Sequence, residues 1–235
     1  MKRVIGILGG MGPEATADLF HRIIRATPAD KDQDHFRTII DSNPAVPDRT
    51  EAILHEGADP VPEMLKSGKT LQGTGVDFIV IPCNSAHYFH NRLSAKLDVP
   101  ILHMIDLTAE RASSDYHGVE KAGLLATDGT VQSGIYHKRF EQKGIHIITP
   151  ESKEQDDVME AIYEYIKKGN LEVGGRILKR IAEELEARGS DVIICGCTEV
   201  SLVLHDGDLE KPVLDPLQIL AETAVEVAAG EREPE

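Results

Sequence analysis

Short apolar runs alternate along the chain with longer stretches in which apolar residues recur every three to four positions. Residues 4–8, 36–40, 78–81, 99–103, 121–126, 146–149, 192–195 and 212–214 form compact apolar runs and read as strands. Residues 13–27, 58–73, 132–143, 156–168 and 171–188 carry the helical period, and Pro216–Ala229 adds a last helix after the eighth strand. This alternation predicts βαβ units, that is, parallel sheets covered by helices and joined by right-handed crossovers. The acidic tail 231–235 reads as a frayed end.

The two halves of the chain repeat one another. Gly6-Ile7-Leu8-Gly9-Gly10-Met11-Gly12 matches Gly123-Leu124-Leu125-Ala126-Thr127-Asp128-Gly129. Asp77-Phe78-Ile79-Val80-Ile81-Pro82-Cys83 matches Asp191-Val192-Ile193-Ile194-Cys195-Gly196-Cys197, and Pro100-Ile101-Leu102 matches Pro212-Val213-Leu214. Three landmarks in the same order, at nearly constant spacing, point to two copies of one four-stranded unit. The predicted fold is therefore α/β, with two pseudo-symmetric domains, each a four-stranded parallel sheet flanked by helices. Residues 1–113 with 215–235 would form the first domain and 114–214 the second. Each copy sets a cysteine just past its third strand, the end at which open parallel sheets bind ligands. Two such domains would place Cys83 and Cys197 on opposite walls of one cleft.

Composition narrows the function. With 235 residues, 41% hydrophobic and 28% charged, the chain has the balance of an ordinary globular protein. No apolar run has the length of a membrane helix, and the start of the chain lacks the features of a secretion signal, so a cytoplasmic protein is expected. The net charge of −15 argues against a nucleic-acid partner. It also means that an anionic ligand would need cations supplied locally by its site. Three cysteines in such a chain do not suggest a disulfide framework.

Several motifs carry candidate chemistry. The turn Gly10-x-Gly12-x-x-Ala15 opens a helix and can present backbone N–H groups to a small carboxylate. With Asp41 beyond the next strand it also fits a dinucleotide fingerprint loosely, so a nicotinamide-dependent oxidoreductase stays open as a different class. Cys195 lies inside an apolar run and reads as a core residue. Cys83 and Cys197 stand instead at turns among polar residues, Pro82-Cys83-Asn84-Ser85-Ala86-His87 and Gly196-Cys197-Thr198-Glu199, where the start of a helix would lower a thiol pKa. Neither Cys195-x-Cys197 with His205 nor Cys83 with His87 has the spacing of a metal site, and no metal is expected. Arg49 follows the second strand, where position alone leaves a carboxylate binder and a surface residue equally open. Lys167 shares a helix face with Tyr163 and by itself reads as solvated.

Taken together, the segment from Gly6 to Thr16 and the two cysteine turns resemble the aspartate racemase branch of the aspartate/glutamate racemase family, over essentially the whole chain. The resemblance implies interconversion of L- and D-aspartate without pyridoxal phosphate or any other cofactor, and commonly a homodimer. It implies Cys83 and Cys197 as the catalytic pair, and Arg49 and Lys167 as binders of the substrate side-chain carboxylate, with Tyr163 near them. It implies Met11, Asn84, Ser85, Thr127, Thr130, Thr198 and Glu199 as lining of the substrate pocket. Glutamate racemases usually carry His where Glu199 stands, which favours aspartate.

This fits the demands of the reaction. Racemisation removes the α-proton from one face and returns one to the other, which two opposed bases do without losing stereochemical control. Thiols titrate near working pH and suit that task. Glutamate or broad-specificity racemases remain alternatives, as do maleate isomerases, hydantoin racemases and arylmalonate decarboxylases. A non-catalytic amino-acid binding protein is the third class.

Overall fold

The computed structural model describes residues 2–234. Along the chain run β1 (Ile5–Gly9), α1 (Pro13–Ala26), β2 (Thr38–Ser42), α2 (Arg49–Leu54), α3 (Val61–Gly73), β3 (Phe78–Val80), α4 (His90–Ser94) and α5 (Met104–Asp115). They are followed by β4 (Lys121–Leu125), α6 (Asp128–Gln132), α7 (Ile135–Glu141), β5 (His146–Ile148), α8 (Ser152–Glu160), α9 (Leu171–Ala187), β6 (Val192–Cys195), β7 (Val213–Leu214) and α10 (Pro216–Ala229). The chain divides into two compact units. Among the described residues, unit 1 comprises residues 2–104 and 217–234, and unit 2 comprises Ile105–Pro216.

Unit 1 holds a parallel sheet in the order β2-β1-β3, and unit 2 a parallel sheet in the order β5-β4-β6-β7. Both are α/β units with the first strand of each repeat at the centre of its sheet. The centre is apolar along its whole length because helices cover both faces: every residue of β1 is buried, as is every residue of β4 except Lys121.

The expected fourth strand of unit 1 is reduced to one bridge, Ile79 to Ile101. Two hydrogen bonds make it, Ile79 N–H to Pro100 O at 2.9 Å and Leu102 N–H to Ile79 O at 3.0 Å. Pro100 has no N–H to extend the ladder, and the chain turns into α5 at Met104. The counterpart in unit 2, β7, is only two residues long and begins the same way, with Ile193 N–H donating to Pro212 O at 2.9 Å.

The core of unit 1 gathers residues from β1, α3, β3 and the Cys83 turn, among them Leu8, Met11, Met64, Leu71, Ile79 and Cys83. In unit 2 the core is built from α8, α9, β6 and the segment after α8, including Val158, Ile162, Leu178, Ile181, Ile193 and Cys195. Helix α9 has an apolar stripe at Gly174, Leu178, Ile181, Ala182 and Leu185, the spacing that turns one face of a helix inward. Two expected helices are interrupted. Gly134 adopts φ +66 and separates α6 from α7. After α8 the chain widens into a π-helical turn, Ala161–Tyr165, then tightens through Ile166–Lys168 and stops at Gly169 with φ +86.

The tail is held rather than frayed as far as Glu233. The Arg3 guanidinium donates to Arg232 O at 2.8 Å and pairs with the Glu233 carboxylate at 2.7 Å. Arg3 N–H donates to Ala228 O in α10 at 2.9 Å. Glu235 lies outside the described residues. Among the described residues no helix is long and apolar enough to cross a membrane.

Candidate active site

The glycine turn after β1 is dictated by close packing. A Cβ on Gly10, which sits at φ +92, would lie 2.3 Å from the backbone carbonyl carbon of Asn43, in the loop after β2. A Cβ on Gly12 would meet nothing within 4 Å. Gly10→Ala is therefore expected to cost about 3 kcal/mol or more, strain and overlap combined. Gly12→Ala is expected to stay within about 0.5 kcal/mol of wild type in denaturant unfolding. Equal midpoints for the two variants would contradict this account of the turn.

In unit 1 this turn and the loops after β2 and β3 bring several candidate residues together. Arg49 opens α2, whose N-cap Asp48 accepts from Glu51 N–H at 3.0 Å. The Arg49 guanidinium lies across the β1 turn and donates to Met11 O at 3.4 Å and to Pro47 O at 3.0 Å. Met11 and Cys83 belong to one buried cluster. Cys83 N–H donates to Ile81 O at 2.9 Å, and its sulfur lies 3.6 Å from the Ser85 hydroxyl. Asn84 is buried beside it, and its carbonyl accepts from His87 N–H at 3.1 Å.

In unit 2 the candidates fall into two groups. Thr127 and Thr130 are buried at the start of α6 with hydroxyls 3.3 Å apart. Gln155 braces that turn, donating to Ala126 O at 3.0 Å and to the Asp128 carboxylate at 2.8 Å. The second group centres on Glu199. One carboxylate oxygen pairs with Lys167 Nζ at 2.9 Å. The other accepts from the Cys197 thiol at 2.9 Å and from the Thr198 hydroxyl at 3.2 Å. Lys167 Nζ also sits 5.2 Å from the centre of the Tyr163 ring. The π-helical turn carries Tyr163, and Lys167 lies in the tight turn that follows it.

Electrostatics follow from that contact set. Burial pushes the Cys197 thiol well above its ordinary value, and the Glu199 carboxylate beside it pushes further, with Lys167 opposing. Burial alone would raise Glu199. Lys167 and the hydrogen bonds from Cys197 and Lys167 outweigh it and hold the carboxylate below its usual range. Burial alone would lower Lys167, but the charge and hydrogen bond of Glu199, with Cys197 and Tyr163 adding to them, together outweigh it and hold the ammonium above its ordinary value. The expectation that a helix start lowers the thiol pKa fails at Cys197. Only the short turn Val200–Leu202 follows it, and the nearest charge is a carboxylate. A bridge from Glu199 to both Cys197 and Lys167 went unseen in the sequence. Its one available signal was an acidic residue two positions after a turn cysteine.

Cys195 is fully buried with its thiol directed at Leu204 O at 3.7 Å, in keeping with a core role. Among the described residues no group of three or more His, Cys, Asp or Glu side chains is arranged to hold a metal ion.

Two like parallel units, each with a cysteine turn after its third strand, make up this α/β fold, and the chain belongs to the Asp/Glu/Hydantoin racemase family, a family of isomerases, whose model matches residues 8–224. Among relatives, it is 30% identical over 226 residues to the broad-specificity amino-acid racemase RacX of Bacillus subtilis, covering 94% of this chain and 96% of that one. It is similar in structure to the aspartate racemase of Picrophilus torridus, with a TM-score of 0.88 at 30% identity over 97% of this chain and 94% of that one. An aspartate racemase homologue from Pyrococcus horikoshii matches with a TM-score of 0.79 at 27% identity, over 97% of this chain and all (100%) of that one. Family membership supports a racemase and sets aside the nicotinamide oxidoreductase.

Proposed function

We propose that the protein interconverts L- and D-aspartate by a two-base mechanism in which Cys83 and Cys197 act on opposite faces of the α-carbon. One observation carries the reading: both repeats place a cysteine at the same point beyond the third strand, on a polar turn. In one direction a thiolate takes the α-proton. The S–H bond forms as the C–H bond breaks, and the electron pair moves into the α-carboxylate as an enediolate. The second thiol then gives its proton to the opposite face of the carbon and is left as thiolate. The reverse direction exchanges the roles. Cys197, held as thiol beside Glu199, is the proton donor of the resting enzyme.

An enediolate formed without a cofactor needs donors aimed at the α-carboxylate. The Met11-Gly12, Asn84-Ser85 and Thr198 turns supply N–H and hydroxyl groups, and Thr127 and Thr130 add two more hydroxyls. Arg49 and Lys167 hold the side-chain carboxylate and offset the −15 background. The enzyme works in the cytoplasm as a homodimer, takes no metal, and has no nucleic-acid or membrane partner.

A second reading, a broader substrate range, is favoured by the pairing of Lys167 with Glu199 at 2.9 Å, which neutralises much of the lysine charge. The Bacillus subtilis relative is named for broad specificity. The two readings separate in a chiral assay of L-aspartate, L-glutamate, L-alanine and L-lysine, run in deuterated water without pyridoxal phosphate. Aspartate is expected to racemise fastest and to gain α-deuterium. Comparable rates for alanine and lysine would establish the broader range, and no exchange into any of the four would sink both.

A further inference from the structure

Beneath each cysteine turn lies a buried polar pair that the chemistry does not use. In unit 1 the rings of His87 and His103 are 4.9 Å apart, with only 2% and 6% of each residue exposed. In unit 2 the Ser201 hydroxyl, on a residue 1% exposed, donates to the Asp215 carboxylate at 2.8 Å. The chemistry differs but the positions correspond. His87 and Ser201 each stand four residues after the cysteine of their repeat. His103 and Asp215 each stand three residues after the proline, Pro100 or Pro212, that opens the short fourth strand. The partners also hold equivalent posts: His103 immediately precedes α5 and Asp215 immediately precedes α10. These are the two places where the chain passes from one unit to the other.

We infer that His87–His103 and Ser201–Asp215 are two copies of one positioning device, which fastens each cysteine turn to the segment where the chain crosses between units. The inference rests on the reading of Cys83 and Cys197 as the reacting groups. Its physical basis is the difference between polar and apolar packing. Two aliphatic side chains at these posts would fill the space and could slide. A buried polar group loses its hydration and is retained where a directed contact restores it, which fixes distance and angle: for Ser201 that contact is the Asp215 carboxylate, whereas the His87 ring packs on His103 and makes its polar contact with Ile81 O. In unit 1 the His87 ring also contacts Ile81 O at 3.2 Å, the carbonyl that accepts from Cys83 N–H at 2.9 Å. One carbonyl thus joins the histidine to the backbone of the cysteine. His90 extends the set, with its ring 4.6 Å from that of His103 and its Nε2 2.9 Å from Ile101 O. The pairs act through the turns that carry the cysteines and are positioning residues. A misplacement of about 1 Å at a reacting group costs up to roughly a hundredfold in rate, so small slack in either turn is visible in kcat.

The test uses the full-length enzyme. Ser201→Ala is expected to lower kcat for racemisation roughly tenfold with KM nearly unchanged, as for a lost transition-state alignment. It should change the rate at which iodoacetamide labels Cys197, read by peptide mass, while leaving Cys83 labelling as in wild type. Ser201→Thr keeps the hydroxyl and should restore both. His87→Leu should do the converse, altering Cys83 labelling alone, with His87→Gln restoring it through its side-chain N–H. Thermal unfolding reports whether each variant folds. If His87→Leu does not, Ser201→Ala decides by itself. Wild-type kcat and labelling in Ser201→Ala would overturn the inference, as would equal changes at both cysteines, which mark general loosening. Racemisation that survives Cys83→Ala would overturn the two-cysteine reading instead, and the labelling result would still stand as a statement about position.

Discussion

Cys83→Ala and Cys197→Ala each lose measurable interconversion of L- and D-aspartate, with a fall in kcat of about a thousandfold or more. General acid–base groups contribute roughly a hundredfold to ten-thousandfold each, and racemisation uses one on either face of the carbon within a single turnover. In unit 1 the Ser85 hydroxyl, 3.6 Å from the Cys83 sulfur, is far too weak a base to take its place. In unit 2 the Glu199 carboxylate is already committed to Lys167 at 2.9 Å. Both variants should fold, because the change from cysteine to alanine removes one atom and leaves the backbone bonds of the turns in place. The measurement is chiral chromatography of the reaction from each enantiomer, beside circular dichroism of the variants. Full activity in either single variant would refute the two-base mechanism.

Glu199→Gln produces the second large effect, and its direction is fixed by the charges around Cys197. In the wild type, burial raises the thiol, Glu199 raises it further and Lys167 opposes. Glutamine removes the negative charge and leaves the lysine acting on the sulfur unbalanced, so the thiol pKa falls. The pH at which Cys197 ceases to be a proton donor therefore moves down, and the alkaline limb of the pH–rate profile moves to lower pH with it. Iodoacetamide labelling of Cys197 at a fixed pH on the slope is faster for the same reason. At neutral pH kcat falls roughly tenfold, because an amide oxygen, a weaker acceptor, replaces the carboxylate that orients the thiol.

Stability gives an independent sign. The folded protein holds Glu199 below its usual range, so the Lys167–Glu199 pair contributes fully above the unfolded carboxylate value and its contribution is lost as pH falls through the folded one. Wild type and Glu199→Gln should differ most near neutrality and converge in acid. The gap is about 1 kcal/mol rather than the several expected for a fully buried pair, because the Lys167 side chain is 35% exposed and water screens it. An unmoved alkaline limb together with unchanged labelling would remove Glu199 from the chemistry of Cys197.

Much of this protein is written in local sequence. Strands buried on both faces are short unbroken apolar runs, so β1, β4 and β6 were legible to within a residue or two. The helices α1, α9 and α10 were equally plain, since their apolar residues follow the helical period. The repeat marked the two units and the two cysteine turns, while the order of strands within each sheet came from the structure. Other features escaped because they depend on one backbone position or on contacts between distant segments. The break between α6 and α7 turns on the left-handed Gly134. The π-helical turn that carries Tyr163 has no propensity signature. A Cβ on Gly174 of α9 would lie 2.4 Å from the Ile166 side chain, so the path of that segment is set by packing.

The sequence by itself determined the α/β class, the duplication, the family and the place of each cysteine beyond a third strand, because all of these rest on periodicity and on residues close together in the chain. Only the tertiary structure decided the charge state around Cys197 and the partners of the buried polar pairs. Lys167 and Glu199 are far apart in sequence, as are Ser201 and Asp215, yet they meet at 2.9 and 2.8 Å. The energy of a charge or a hydrogen bond depends on such distances and on burial, and neither is set until the chain has folded.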